Sequence, residues 1–246
     1  MIVVNGYGPY FGMPDGSPFV MKTMFQLRLA GLDFEHRANG VAGAPRGKVP
    51  YIEDDGVTIS DSTLIRFHIE EKYGIELDAG LDAEQRAIAW TIEKMAEEHL
   101  YFALIDNRWR DDENFAAGPA HFFDRLPPLL RPLVRWIGRR HMARTLHLQG
   151  LGRLSRDDVD HIACRDVDAL ATLLGKKTFM MGEKASSVDG FLFGILSNLL
   201  VQIFRTPVGE RIRAHPNLLA YVDRISHDYF HPAETQTLRE RQAAAG

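Results

Sequence analysis

The sequence predicts a small α/β domain followed by a larger all-helical one. Before about residue 80, short runs of β-type residues alternate with amphipathic segments, and beyond it no convincing strand pattern occurs. Helix start and stop signals bracket the segments on both sides of that change. The order is β-α-β, then β-β-α, then helices only, which is a two-layer unit joined to a bundle.

The first run, IVV at residues 2–4, reads as a strand. An amphipathic segment over 18–30 follows, with Pro18 suited to a first helical position and Gly31 to a cap that needs positive φ. DFEHR (33–37), YIED (51–54) and VTIS (57–60) read as strands, and Asp55-Gly56 is a tight hairpin signal. TLIRFHIEEKY (63–73) is helical and stops at Gly74. After LDAGLDAEQ (77–85), Asp82 and Gln85 form a capping box. From there Ile88, Ile92, Met95, His99 and Phe102 recur at helical spacing. Further helices are predicted over 119–147, 157–175, 187–204 and 216–230, the third opened by Ser186 and Asp189. The expected domains are 1–76 and 82–232, with a tail over 233–246.

At 246 residues, 45% hydrophobic and 25% charged, the chain has ordinary globular composition. A net charge of −4 gives no global reason to expect nucleic acid as a partner. One cysteine, Cys164, excludes an internal disulfide and a thiolate zinc site, and reads as a small core residue. No signal peptide is read at the N-terminus, and a reducing, cytoplasmic setting is expected. The most apolar run, FLFGILSNLLVQIF, has fourteen residues broken by Ser197, Asn198 and Gln202, so it reads as a buried helix. Gly6, Gly8 and Gly12 miss the dinucleotide spacing, Gly47-Lys48 lacks the Ser/Thr of a P-loop, and the histidines match no metal pattern. His99 reads as a satisfied core residue, and no metal is expected.

The stretch GKVPYIEDDGVTISDST (47–63) is unusually dense in signals. Pro50 cannot donate to a ladder, so it belongs at a strand start or an edge. A cis Val49-Pro50 bond would turn the Val49 N–H and C=O toward an extended, peptide-like ligand. Asp61 and Ser62 precede the apolar positions of the next helix. Open N–H groups there suit a carboxylate and the Asp61 side chain suits an ammonium, although capping alone also accounts for both residues.

This element order, the x-V-P step, the acidic-Ser pair and the late S-x-x-D helix together resemble the glutathione-transferase superfamily. The chain is most similar to the branch of failed-axon-connections and metaxin-like proteins, through RAIAWTIEKMAEEHLYFAL (86–104), HLQGLGRLS (147–155) and FMMGEKASSVDGFLFGIL (179–196). The resemblance spans about Pro18 to His231. It implies a thioredoxin-like N-terminal domain and an all-α C-terminal domain, with glutathione as co-substrate. Val49 and Pro50 would then align the cysteinyl backbone, Asp61 and Ser62 hold the γ-glutamyl end, and Lys48 meet the glycyl carboxylate. Ser17, at the expected N-cap before Pro18, is the candidate to stabilise the thiolate, with Tyr7 and Tyr10 as rivals. Tyr101, Arg108 and Trp109 would border the second-substrate pocket. No cysteine lies in the 5–18 loop, so a protein mixed disulfide is not expected there. The resemblance further implies a homodimer that conjugates glutathione to a small electrophile. The alternative is a non-catalytic adaptor on the same fold.

Between Asp124 and Asp157 lie eight arginines, no lysine and no acid, so the rest of the chain carries −12 against −4 overall. Leu129, Leu133, Ile137, Arg140 and Arg144 share one helical face. Solvation, or pairing with acids of neighbouring helices, is the favoured reading. An anionic pocket and anionic-membrane contact through 125–156 are the alternatives.

Overall fold

The computed structural model describes residues 1–124 and 126–230. Its first domain holds β1 (Ile2–Asn5), α1 (Pro18–Leu29), β2 (Phe34–Arg37), β3 (Tyr51–Asp54), β4 (Val57–Ser60) and α2 (Ser62–Tyr73). The four strands form one sheet in the order β2-β1-β3-β4. β1 runs parallel to β2 and antiparallel to β3, and β3 and β4 form a hairpin in which Tyr51 faces Ser60. Asp55 and Gly56 both adopt positive φ at its tip, the twist a two-residue hairpin needs. The Val49–Pro50 bond is cis.

The second domain begins with α3 (Ala83–Met95), which opens on the Asp82/Gln85 capping box. It continues through a π turn (Ala96–Leu100) into α4 (Tyr101–Trp109). Then come α5 (Asp112–Ala117), a 3₁₀ turn (Pro119–Phe123), α6 (Arg131–Gln149), α7 (Arg156–Leu174), α8 (Ser187–Leu199), α9 (Pro207–Arg213) and α10 (Pro216–Tyr229).

Several details depart from expectation. The helix predicted over 119–147 is interrupted: α6 starts only at Arg131, because Pro127 and Pro128 supply no N–H to carry a helix through. The helix expected to reach residue 204 ends at Leu199. α5 and α9, at six and seven residues, are too short for a periodicity to reveal. The stripe from Ile88 to Phe102 is also displaced. The shift is present already at Ala89, before the π turn, where the Tyr101 N–H reaches back to the Ala96 carbonyl and one extra residue is taken into the turn. The buried face becomes Ala89, Ile92, Ala96, Leu100, Ala103 and Leu104, and Ile88 is 39% exposed. His99 lies half-buried against Asp166 of α7, whose hydrogen bond raises the imidazole pKa. The expected tail, 233–246, lies outside the described residues.

α8 is buried along its whole length and packs against α1. Two glycines let the helices approach. A Cβ at Gly194 would lie 2.7 Å from the Pro18 carbonyl oxygen, and one at Gly190 2.8 Å from the Phe25 ring. The N-terminus of α8 is tied down by buried Asp189, which accepts from the Ser186 and Met180 amides and the Tyr221 hydroxyl.

Between the domains lies a charge cluster. Lys22 of α1 is fully buried, with its Nζ 2.8 Å from Glu97, 3.1 Å from Glu93 and 3.2 Å from the Thr63 hydroxyl. Lys94 also contacts both glutamates and donates to Thr63. An ammonium without water is tolerated only when paired and hydrogen-bonded, so α1, α2 and α3 are held in one relative position. Lys22→Met leaves Glu93 and Glu97 short of their buried cation. The expected outcome is a loss of about 3–5 kcal/mol in urea denaturation. Double substitution with Glu97→Gln should recover part of it.

Candidate active site

The sheet order brings three chain segments to one edge. Asn5, the last residue of β1, pairs with Tyr51, so the loop after β1 begins beside Val49 and Pro50. Asp15 organises that loop. Its fully buried carboxylate accepts from the Gly8 amide at 2.7 Å, the Ser17 amide at 2.8 Å and His36 Nε2 at 3.0 Å. Ser17 is the N-cap of α1, and its Oγ accepts from the Val20 amide at 3.4 Å. That bond uses an oxygen lone pair, so the hydroxyl hydrogen stays free to donate. Tyr7 is 52% exposed on the same loop. Burial, and then the Asp15 charge, raises its pKa, which keeps the phenol protonated. Tyr10 is turned toward an aromatic cluster, edge-on to Phe11 and Phe122.

The opposite wall is the junction of β3, β4 and α2. The Asp61 amide donates to the Pro50 carbonyl at 3.3 Å, which places Asp61 and Ser62 directly beside the Val49-Pro50 step. Asp61 sits at φ 88° and ψ 126°, a conformation that costs a non-glycine residue roughly 1–3 kcal/mol. Its Oδ1 accepts from the Thr63 and Leu64 amides at 2.9 and 3.3 Å, which helps hold it there. Among the described residues, the main-chain amide and carbonyl of Val49 and the amide and hydroxyl of Ser62 make no hydrogen bond. Lys48 is exposed and forms no ion pair among them. The Lys22–Thr63 contact sets the first turns of α1 and α2 side by side, so Ser17 and Ser62 share one edge of the domain.

Above this edge stands an aromatic wall. The Phe11 ring lies 5.1 Å from Phe204 and 6.3 Å from Phe122, and Trp109 reaches Phe122 at 6.4 Å and Phe115 at 5.7 Å. Tyr101 stacks edge-on to Phe19 at 4.8 Å, and burial pushes its pKa up to about 12. Arg108 is buried between Phe11 and Phe204, donating to the Asn198 side-chain oxygen at 3.0 Å and its carbonyl at 2.7 Å. Its Nε has no partner, and no carboxylate pairs with it among the described residues. Burial lowers its pKa to about 9, which still leaves it charged at neutral pH.

Ser17, Tyr7, Lys48, Val49, Pro50, Asp61 and Ser62 are therefore gathered at one edge, and Tyr10, Arg108 and Trp109 at the adjoining wall. Asp15, Phe11, Phe122, Phe204 and Asn198 complete the arrangement, and sequence patterns alone do not single them out. Asp15 lies in PDGSP, which reads as a turn, and the three phenylalanines come from segments with no shared local pattern.

A mixed four-stranded sheet with an x-Pro strand start, followed by an all-helical domain, is the two-domain architecture of the glutathione-transferase fold. The chain belongs to the glutathione S-transferase superfamily. Residues 18–114 match the glutathione S-transferase N-terminal domain and residues 163–225 the C-terminal domain. It is 34% identical to the isoprene-epoxide glutathione S-transferase of Rhodococcus sp. (strain AD45), over 93% of this chain and 99% of that one. It is 29% identical to Failed axon connections of Drosophila melanogaster, over 89% of this chain but 55% of that one, and 25% identical to human Metaxin-2 over 79% and 74%. Among solved structures, a beta-etherase from Sphingobium sp. strain SYK-6 superposes with a TM-score of 0.61 at 19% identity, covering 97% of this chain and 99% of the other. A glutathione transferase family member from Pseudomonas fluorescens pf-5, solved with two glutathione molecules bound, gives 0.61 at 17%, over 96% and 92%.

Asp15→Ala removes the acceptor shared by two buried amides. The expected cost is about 2–4 kcal/mol in urea denaturation, with faster hydrogen exchange at the Gly8 and Ser17 amides than at those of β3.

Proposed function

We propose that the protein binds glutathione and conjugates its sulfur to a small electrophile. The observation that carries this reading is the junction where the Asp61 amide meets the Pro50 carbonyl, because it sets unbonded peptide-recognising groups beside a helix N-terminus. An extended tripeptide pairs its cysteinyl main chain with the Val49 amide and carbonyl, as an added strand would. Its γ-glutamyl carboxylate meets the Ser62 amide and hydroxyl at the positive end of α2, and its ammonium meets the Asp61 carboxylate. Lys48 meets the glycyl carboxylate.

In this pose the sulfur lies toward the first turn of α1. A free thiol has a pKa of about 8.5, and a helix N-terminus with a hydroxyl donor lowers it. Ser17 supplies that donor and the α1 dipole adds to it. The thiol proton leaves to solvent, the sulfur attacks carbon to form a C–S bond, and the leaving bond's electrons depart with the displaced atom. Rate enhancement then comes from thiolate fraction and positioning. The aromatic wall suits a small, largely apolar electrophile. The activity named for the Rhodococcus relative makes an epoxide the first to test, in which the C–O bond opens and the oxyanion takes up a proton.

A non-catalytic binding role is the second reading, supported by the similarity to Failed axon connections and Metaxin-2. A homodimer belongs to the first reading and is checked by sedimentation velocity.

Calorimetry with glutathione separates the two. Saturable binding is expected, weakened about tenfold or more by Asp61→Ala or Ser62→Ala, each removing a charge-assisted contact of about 1.5–3 kcal/mol. No heat from folded protein with millimolar glutathione rejects the transferase and leaves the binding role. In turnover with an epoxide, Ser17→Ala is expected to lower kcat about a hundredfold at near-constant KM. Unchanged turnover in folded Ser17→Ala removes Ser17 from the mechanism, and Tyr7→Phe then tests the rival donor.

A further inference from the structure

α6 faces outward with the wrong chemistry for a solvated helix. Of its nineteen residues only Leu146 is fully buried. The inward side carries Arg131, Arg135, Arg139, Gly138 and Met142, while the outward side carries Leu133, Trp136, Ile137, Arg140, Arg144 and Leu148. Leu133, Trp136 and Ile137 are 56%, 59% and 50% exposed, and Leu129 in the preceding turn is 94% exposed. A helix normally buries such residues. The inward side is mixed, with Val134, Met142 and Leu146 beside these arginines, while the outward side leaves an apolar stripe in water.

The arginines divide the same way. Arg135 pairs with Asp124, Arg139 with Asp112, and Arg156 with Asp111, while Arg131 donates to the Leu126 and Asp124 carbonyls. For these the expected satisfaction by neighbours holds. Arg140 and Arg144 have no carboxylate among the described residues, and the Arg140 guanidinium lies over the Trp136 ring at 5.5 Å. They continue the apolar stripe by one and two turns. α6 contains no acid, and none occurs from residue 125 to 156.

We propose that this face of α6 docks on an anionic lipid surface. A flat helix about 28 Å long, with Trp and Leu in the same stripe as unpaired arginines, matches the requirements of an interfacial helix: apolar side chains at the acyl boundary and guanidinium groups among the headgroup phosphates. Charge selects this occupant over a second copy. A two-fold contact of the face with itself sets arginine against arginine with no carboxylate to offset them. The remainder of the chain, at −12, is repelled by an anionic surface, so binding requires this segment and orients the molecule. None of these residues belongs to the proposed glutathione site, and the inference is independent of that reading.

The test is co-flotation of the full chain with vesicles of phosphatidylcholine containing one third phosphatidylserine, beside vesicles of phosphatidylcholine alone. Binding to the anionic vesicles at low salt is expected, with little to the neutral ones, and release at about 0.5 M salt. Arg140→Gln with Arg144→Gln should weaken it about thirtyfold, since each basic residue near such a surface contributes about 1 kcal/mol. Trp136→Ala with Ile137→Ala should weaken it independently of salt. Both variants should keep the wild-type melting temperature. Failure of folded wild type to float at low salt overturns the proposal, as does equal flotation of the arginine variant. A wild-type dimer that either double substitution converts to monomer in sedimentation velocity also overturns it, by making the face a subunit contact.

Discussion

A single ammonium group conditions much of this architecture. Lys22 of α1 has no access to water, so the sheet domain is stable only where the helical domain supplies Glu93 and Glu97. The cluster includes the Thr63 hydroxyl, one residue past Ser62, so the requirement to neutralise Lys22 also sets the separation of the α1 and α2 N-termini. Both walls of the site thus inherit their spacing from a charge balance beneath them. Hydrophobic burial between α1 and α8 supplies the larger free energy, but it is non-directional and does not by itself choose a register.

Much of this was legible in the sequence, and for identifiable reasons. Capping residues act locally, so Asp82 with Gln85, Ser186 with Asp189, and Ser17 before Pro18 marked helix starts that the structure contains. Asp55-Gly56 marked the hairpin for the same reason. Pairing across space left less trace. Asp15 looks like a turn residue until Gly8, Ser17 and His36 are seen around it, and nothing local distinguishes Phe122 or Phe204 as wall residues. The stripe over 88–102 is the clearest case, because a helical period fits two neighbouring faces and tertiary packing chose the one with the small residues Ala89, Ala96 and Ala103.

The two ends of the site differ in their electrostatics. Asp15 carries its charge with three donors around it, so little of that charge is offered to a ligand. Arg108 is solvated by an amide side chain, a carbonyl and two ring faces, with no opposing ion among the described residues. Its field is therefore less compensated and favours negative charge nearby. The thiolate of the proposed reaction would gain from that imbalance beneath the apolar wall.

The π turn over Ala96–Leu100 also bears on how this chain can change over evolutionary time. Upstream of it, α3 presents Glu93 to Lys22, and downstream α4 presents Tyr101 and Arg108 to the aromatic wall. Glu93 and Arg108 thus lie on opposite sides of a turn that holds one residue more than a regular helical turn. Exposed side chains along this segment can drift one at a time, whereas its residue count has to keep Glu93 against Lys22 and Arg108 against Phe11 together.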